Sequence, residues 1–347
     1  MPIEEWWRPE RFARRRERLA CRGRMLGAVR DFFAARDFVE VDTPALQVSP
    51  GLEPHLRAFA TELHDPRDGR ALRRYLHTSP EFAMKKLLVA GMPRIWQLAH
   101  VFRDGERGAT HHPEFAMLEW YRAGASWREL IADCAGLLRA CQAAAGAEML
   151  TWLGQTADAR MPWHEISVAA AFREHCGIDL LATAPDPPRP DFARLAAAAR
   201  RVGLEPHPGD DWEALYFRIF LERIEPHLGL GAPTILRDYP LSMAALARRN
   251  PDDPRVAERF ELYVCGLELA NGFGELTDAG EQRARFLAEQ RRKQALYGET
   301  YPIDEDFLAA LDHGMPAAAG IALGFDRLVM LATGAADIED VLWAPVR

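Results

Sequence analysis

Residues 259–278 read RFELYVCGLELANGFGELTD, and the path of this stretch decides the fold. Glu261, Glu268 and Glu275 recur at a seven-residue spacing, which on a helix would stack them along one face. Gly266, Gly272 and Gly274 oppose a helix of that length. The segment Phe260–Phe273 is therefore expected as a strand, a turn and a further strand. Apolar Phe260, Leu262, Val264, Leu267 and Leu269 surround the acids, which favours partial burial over a solvated acidic surface. Buried carboxylates need partners. Their hard oxygens suit Mg²⁺, which is commonly held by one or two carboxylates together with substrate phosphates. A remaining carboxylate suits an ammonium group.

Further along, Ala317–Leu331 joins a strand of small residues to a helix, with GIALGFDRLVML at 320–331. Small residues let the backbone approach a ligand closely. Arg327 opens the helix, where free N–H groups and the dipole favour phosphate. Taken alone, a glycine-containing strand before a core helix capped by Asp326 reads as well. Back toward the N-terminus, Arg94–Arg103 (RIWQLAHVFR) reads as a buried strand and Phe115–Tyr121 (FAMLEWY) as its return. Arg103, where the strand becomes a loop, has the planar donor fork that grips phosphate. The loop DGERGATHH suits a polyphosphate and Phe115 suits stacking on a base. On spacing alone, a surface hairpin with a salt-bridged arginine fits equally well.

The flanks complete the outline. Val29–Ala35 reads as helix and Phe38–Thr43 as an alternating strand ended by Pro44. Arg8–Arg24, with interleaved apolar residues, reads as helices with a solvated basic face. Trp127–Ala145, Ala193–Val202, Trp212–Ile224 and Glu281–Tyr297 are expected helices, and Thr183–Asp191 (TAPDPPRPD) a loop. Strands and helices in no regular βαβ order predict an α+β fold with an antiparallel or mixed sheet.

The chain of 347 residues is 48% hydrophobic and 27% charged, enough for a large core. A net charge of −8 argues against a nonspecific nucleic-acid binder. Five cysteines without a CxxC pair argue against a disulfide framework or a structural zinc site, and fit reduced thiols in a cytoplasmic protein. The N-terminal residues lack the apolar core of a secretory signal, and no apolar run is long enough to span a membrane. A GxxxxGK[ST] phosphate loop is absent, and Gly272-Phe273-Gly274 fails as a dinucleotide fingerprint because Thr277 stands where its last glycine belongs.

Together these stretches resemble, in chain order, the motifs of class II aminoacyl-tRNA synthetases. FVEVDTPAL (38–46) resembles motif 1, the Arg94–Tyr121 hairpin motif 2, the 268–275 run the amino-acid-binding segment and 320–331 motif 3. Thr78-Ser79-Pro80-Glu81 followed by MKKLL, His112-Pro-Glu-Phe115, Glu119-Trp-Tyr121 and ELANGFGE (268–275) resemble the lysine-specific branch. The resemblance runs from about Arg24 to the C-terminus. It implies one catalytic domain over 1–347 with a largely helical insertion at about 125–230 and no anticodon-binding domain. That is the layout of the truncated branch that joins a β-lysyl group to a lysine of translation elongation factor P. The alternatives are a compact lysyl-tRNA synthetase-like enzyme charging tRNA and a non-catalytic paralogue that binds a ligand or partner, against which the intact Arg103, Glu268 and Arg327 speak.

The resemblance implies ATP and Mg²⁺ as cofactors, lysine or β-lysine as substrate, a homodimer, and neither tRNA nor membrane as partner. Arg103 and Arg327 are the implied catalytic clamp. Asp104, Gly105, Glu106, His112, Phe115, Glu268, Leu269 and Gly324 complete the implied ATP site. Glu261 and Glu268 are the implied metal ligands. Ser79, Pro80, Glu81, Glu119, Tyr121, Asn271, Glu275 and Ala322 would hold the amino acid. The chain departs from the family at Asp104-Gly105, where Asn-Glu is usual, leaving adenine to Glu106 or backbone groups. It also has His112 in place of an asparagine, and Ala322 in place of the middle motif 3 glycine, as the truncated branch does.

Overall fold

The computed structural model describes residues 5–244 and 246–346. The strands are β1 (Val39–Glu40), β2 (Leu46–Gln47), β3 (Ala60–His64), β4 (Ala71–Leu76), β5 (Arg94–Phe102), β6 (Glu114–Ala123), β7 (Leu150–Trp152), β8 (Gln155–Ala157), β9 (His164–Ser167), β10 (Thr234–Pro240), β11 (Val256–Val264), β12 (Leu267–Gly274) and β13 (Ala318–Gly324). The helices are α1 (Pro9–Phe12), α2 (Arg16–Ala34), α3 (Glu81–Val89), α4 (Trp127–Ala145), α5 (Val168–Cys176), α6 (Phe192–Arg201), α7 (Trp212–Arg223), α8 (Ala279–Tyr297), α9 (Glu305–Gly314) and α10 (Phe325–Thr333). Among the described residues, no helix is long and apolar enough to cross a membrane.

Eight strands form one sheet in the order β1-β5-β6-β13-β12-β11-β10-β9. Only the edge pairs β1·β5 and β10·β9 are parallel; the others are antiparallel. The α+β fold and the sheet class expected from the sequence are thus observed. One face of the sheet packs against α2, α4 and α10 through a core that includes Phe33, Trp96, Trp120, Phe260 and Phe325. On the other face α3, α8 and α9 cover one end, around Phe82, Tyr121, Phe286 and Phe307. At the other end of that face α5, α6 and α7 pack over Leu236, Tyr239 and Tyr263, and the candidate site lies between the two groups of helices. Within residues 125–230, α4 belongs to the main core, while α5, α6 and α7 build their own around Phe172, Leu195, Trp212 and Tyr216. That stretch also contributes β7, β8 and the sheet-edge strand β9.

Local signals explain the clearest boundaries. Ser126 and Glu129 form a capping box at the start of α4, and Gly146 ends it with φ 71°. Asp278 caps α8 by accepting from the Glu281 N–H at 2.7 Å.

Three expectations need correction. The strand at Phe38–Thr43 shortens to Val39–Glu40, because Phe38 turns into the core against the ring of Phe33 and the chain then leaves the sheet edge toward Pro44. The basic face of Arg8–Arg24 is not simply solvated. Arg22 bonds to buried Asp326, Arg18 reaches Asp340 at 2.9 Å, and Arg15 is itself buried. These arginines dock α2 onto α10 and the C-terminal segment. Asp326 does not cap α10, whose N-cap is Gly324 without a side-chain bond. Its carboxylate instead takes Arg22 on one oxygen and the Ala116 N–H at 2.7 Å on the other.

Candidate active site

The hairpin β11–β12 forms as the sequence leads one to expect, with one irregularity that matters. Leu262 pairs with Ala270, yet the next residue, Tyr263, pairs with Glu268, so Leu269 is an extra residue on β12. Such a bulge shifts the side-chain alternation by one. Glu268 thereby shares the site's face with Asn271 and Phe273, although simple alternation would have turned it to the opposite side from Asn271. Across the sheet, Gln97, Glu119, Ala322, Asn271 and Glu261 form one continuous row of paired residues. In the adjacent row Gly320 stands between Tyr121 and Phe273. A Cβ at Gly320 would overlap both the Tyr121 ring and the Glu275 carboxylate, so glycine is required there.

A cavity of about 280 Å³ opens on this face. At one end is a cationic clamp. Arg103 leaves β5 and lays its guanidinium over the Phe115 ring, 5.1 Å from the centroid. Its Nε is buried without a hydrogen-bond partner, a donor available to an acceptor in the cavity. Arg327, in the first turn of α10, donates to the carbonyls of Glu268 (2.8 Å) and Thr110 (3.2 Å) and to Nε2 of His111 (2.8 Å). Burial, and then the Arg327 charge, lower the His111 pKa, keeping the ring neutral and able to accept.

At the other end the cavity reaches a cluster of acids. Ser79 donates to Glu119 at 2.6 Å, and the Tyr121 hydroxyl donates to its second oxygen at 2.9 Å. Burial, with the Glu81 charge second, pushes the Glu119 carboxyl up to about 8. Lys85 sits one turn along α3 from Glu81 and contacts both Glu81 and Glu275. Burial pulls its pKa down, but the two carboxylates outweigh that and hold the ammonium charged. Glu53 completes the acidic wall, its pKa raised by burial and by Glu81. One lysine thus stands among Glu53, Glu81, Glu119 and Glu275.

Between the two ends, Glu268 faces the cavity. Burial and the neighbouring charge of Glu261 push it up to about 7. A dication at Glu268 would relieve that crowding, so the donor chemistry fits Mg²⁺. Glu261 does not line the cavity. Arg259 holds one of its oxygens at 2.8 Å and Tyr263 the other at 2.7 Å.

Of the residues expected from the sequence, Ser79, Glu81, Arg103, Glu106, His112, Phe115, Glu268, Leu269, Asn271, Ala322, Gly324 and Arg327 line the one cavity. Glu119 and Tyr121 stand behind Ser79 through their hydrogen bonds, and Glu275 stands behind Lys85. Pro80, Asp104 and Gly105 are not in the cavity wall; the Asp104 N–H instead donates to the Arg57 carbonyl at 2.8 Å. His112 is fixed by the Val346 N–H at 3.1 Å, which its Nε2 must accept, so Nδ1 carries the proton given to the Glu114 carbonyl at 2.5 Å.

Sequence reasoning missed Glu53, Lys85 and Met117, and read Thr110 and His111 only as part of the polyphosphate loop DGERGATHH. Lys85 left a trace in the MKKLL run, because a lysine four residues after Glu81 on a helix lies within reach of it. Glu53, in the loop SPGLEPHL, left none.

Comparison with known proteins agrees with this geometry. The family model for class II tRNA synthetases (D, K and N) matches residues 6–347. An elongation factor P–(R)-β-lysine ligase of Histophilus somni (strain 2336) is 39% identical over 342 residues, spanning 99% of this chain and 98% of that protein. Proteins of the same name are 40% identical over 326 residues in Pectobacterium carotovorum subsp. carotovorum (strain PC1) and 40% over 324 residues in Haemophilus influenzae (strain PittGG), each over 93% of both chains. The chain belongs to the class II tRNA synthetase family of the D, K and N type, in the company of these ligases.

Proposed function

We propose that this protein is an ATP-dependent ligase that activates a lysine-type diamino acid, (R)-β-lysine foremost, and transfers it to a lysine side chain of elongation factor P. The observation that carries the reading is the charge layout of one cavity. An arginine clamp with an unpaired buried donor lies at one end, and acids in excess of their single lysine lie at the other. A substrate with two ammonium groups and one carboxylate fits that polarity. Its ammonium groups settle on Glu81, Glu119 and Asn271, and its carboxylate points toward the clamp.

In the first half-reaction, a carboxylate oxygen attacks the α-phosphorus of ATP and pyrophosphate leaves. Arg103 and Arg327 stabilise the charge that develops on the phosphates. Phe115, already stacked on Arg103, offers its ring to adenine, and Glu106 with Gly324 flanks the nucleotide. Mg²⁺ at Glu268, with Glu261 behind it, would neutralise phosphate charge. In the second half-reaction an amine displaces AMP and an amide forms.

The relatives' name supports elongation factor P as the acceptor. The five unpaired cysteines fit a reducing cytoplasm. Exposed Val39, Leu46 and Val48 at the sheet edge support a homodimer built on the motif 1 segment, which light scattering at micromolar concentration would detect. The decisive experiment combines enzyme, ATP, labelled β-lysine or lysine, total tRNA and elongation factor P. Label in protein that survives mild alkali is the expected amide. Alkali-labile label in RNA would establish the tRNA-charging alternative instead.

A further inference from the structure

Glu53 and Leu56 belong to two cavities at once. On one side they line the site described above. On the other they line a second cavity of about 300 Å³ that also includes Phe82, Met243, Leu246 and Phe286. We propose that this second cavity is the port for the acceptor of the transfer step, an ammonium on a flexible apolar stem, and that Glu53 takes the acceptor's proton. This rests on the reading that the acceptor is a protein lysine.

Position is the first argument. Glu53 lies within electrostatic reach of Glu81 and Lys85 on α3 and of Arg103 at the end of β5. These mark the amino-acid end and the phosphate end of the catalytic cavity, and the activated carbonyl must lie between them. Glu53 therefore stands beside the bond to be made, in the wall that the two cavities share. Gly51, with φ 123°, makes room for the carboxylate, since a Cβ there would stand 2.8 Å from Glu53 Oε2.

Chemistry is the second. The four methylenes of a lysyl stem suit the apolar walls of the port. Its charged groups carry an unsatisfied acid: Arg292 bonds to Glu213 and reaches Asp211 at 3.2 Å, Arg259 pairs with Glu261 at 2.8 Å and Arg285 with Glu281 at 2.6 Å. Glu289, across the port from Glu53, is pushed up to about 7, first by burial, with Glu213 and Glu53 adding to it against Arg292. Lys293 also senses Glu53, whose charge raises its pKa against the larger effect of burial. Apolar surroundings lower the pKa of an entering amine and raise that of a carboxylate, which narrows the gap a proton must cross.

The mouth is the third. Phe217 and Leu221, four residues apart on α7, are 39% and 52% exposed on one face. Beside them His55 Nδ1 meets the Tyr297 hydroxyl at 2.8 Å. A protein that presents a lysine has apolar surface to rest on at this rim.

The step balances as follows. The acceptor ammonium gives one proton to the Glu53 carboxylate, and the freed lone pair forms the C–N bond to the adenylate carbonyl. The C–O bond to phosphate breaks, AMP leaves with the electron pair, and the second nitrogen proton passes to the leaving phosphate or to water.

The test compares two nucleophiles on the preformed enzyme-bound adenylate. Hydroxylamine is already neutral at neutral pH and needs no base, whereas the lysyl amine of elongation factor P does. For Glu53→Gln, transfer to elongation factor P should fall on the order of a hundredfold or more relative to hydroxylamine capture. Glu53→Asp should recover part of that ratio, and Phe217→Arg should raise the KM for elongation factor P without raising that for hydroxylamine. A Glu53→Gln enzyme whose two rates fall together, or not at all, overturns the assignment of the base. An unchanged KM in Phe217→Arg overturns the port. If the wild-type enzyme labels tRNA and leaves elongation factor P untouched, the functional reading fails, a result distinct from either of these.

Discussion

Lys85 Nζ lies 2.6 Å from a carboxylate oxygen of Glu275, and both side chains are almost wholly closed to solvent. Glu275 is therefore already paired before substrate arrives, and it shapes the amino-acid pocket through Lys85 instead of meeting the substrate ammonium directly. Lys85 is shared with Glu81, so the unpaired attraction for a cation falls to Glu119 and Glu53 and to the one negative charge that Glu81 and Glu275 hold beyond their single lysine.

Removing one partner of such a pair leaves a buried charge without compensation. Lys85→Met should destabilise the protein by about 3–5 kcal/mol. Lys85→Met combined with Glu275→Gln should recover part of that loss, since of the two carboxylates paired with Lys85 only Glu81 is then left uncompensated. Urea unfolding of the wild type, both single variants and the double variant checks this. A double variant no more stable than Lys85→Met would show that the two residues act independently.

Glu119 gives the site a pH dependence with a definite sign. Its folded pKa of about 8 lies above the unfolded carboxylate value of about 4.3. The folded state therefore binds a proton that the unfolded state has lost, and this group's contribution to stability falls as pH rises from about 4.5 through 8. Glu119→Gln should stabilise the ligand-free protein at pH above 8, by on the order of 1–3 kcal/mol, while weakening substrate binding. In the wild type, binding of a diammonium substrate should release a proton at neutral pH, and its kcat/KM should rise between about pH 7 and 8.5. Calorimetry in buffers of different ionisation enthalpy measures the proton. No release in the wild type, or the same release in Glu119→Gln, would remove Glu119 from this role.

What the sequence could reveal depended on whether the signal was local. The α4 helix carries its capping box and terminal glycine in its own residues, and its expected span, Trp127–Ala145, matches the observed one. The β11–β12 hairpin was legible from its glycines and apolar alternation. The extra residue at Leu269 was not, because a bulge is defined by pairing with another strand. Arg18 and Arg22 looked like a solvated face because their partners, Asp340 and Asp326, are some three hundred residues away in the chain. Lys85 and Glu53 enter the site only once α3 and the loop between β2 and β3 are folded over the sheet. Local spacing cannot report that.

The two arginines should govern activation. Arg103→Ala removes the guanidinium whose buried Nε has no hydrogen-bond partner, and Arg327→Ala removes the group held by Thr110, Glu268 and His111. Each should lower ATP–pyrophosphate exchange on the order of a hundredfold or more. Arg327 also braces the loop at Thr110, so thermal unfolding of Arg327→Ala must accompany the rate. A stable Arg327→Ala protein with near-wild-type exchange would refute the clamp.

Ala322 should tune which lysine isomer the pocket takes. It sits in the sheet row between Glu119 on one side and Asn271 on the other, and it lines the cavity. Gly320, two residues earlier on the same strand, is confined to glycine by the Tyr121 ring and Glu275, whereas position 322 accepts a methyl group. That methyl fills space beside the groups proposed to bind the substrate's amines. An amino group on the α-carbon and one on the β-carbon differ there by one carbon of reach. A group of that size in a closed pocket is worth about 1–3 kcal/mol in discrimination. Ala322→Gly should therefore shift the ratio of kcat/KM toward α-lysine over β-lysine by roughly ten- to hundredfold, with the fold intact because β13 keeps its ladder bonds on both sides. Exchange assays with each isomer, run on both enzymes, give the ratio directly. An unchanged ratio would place the selecting contact elsewhere in the cavity, with Asn271 and Ser79 the next residues to replace.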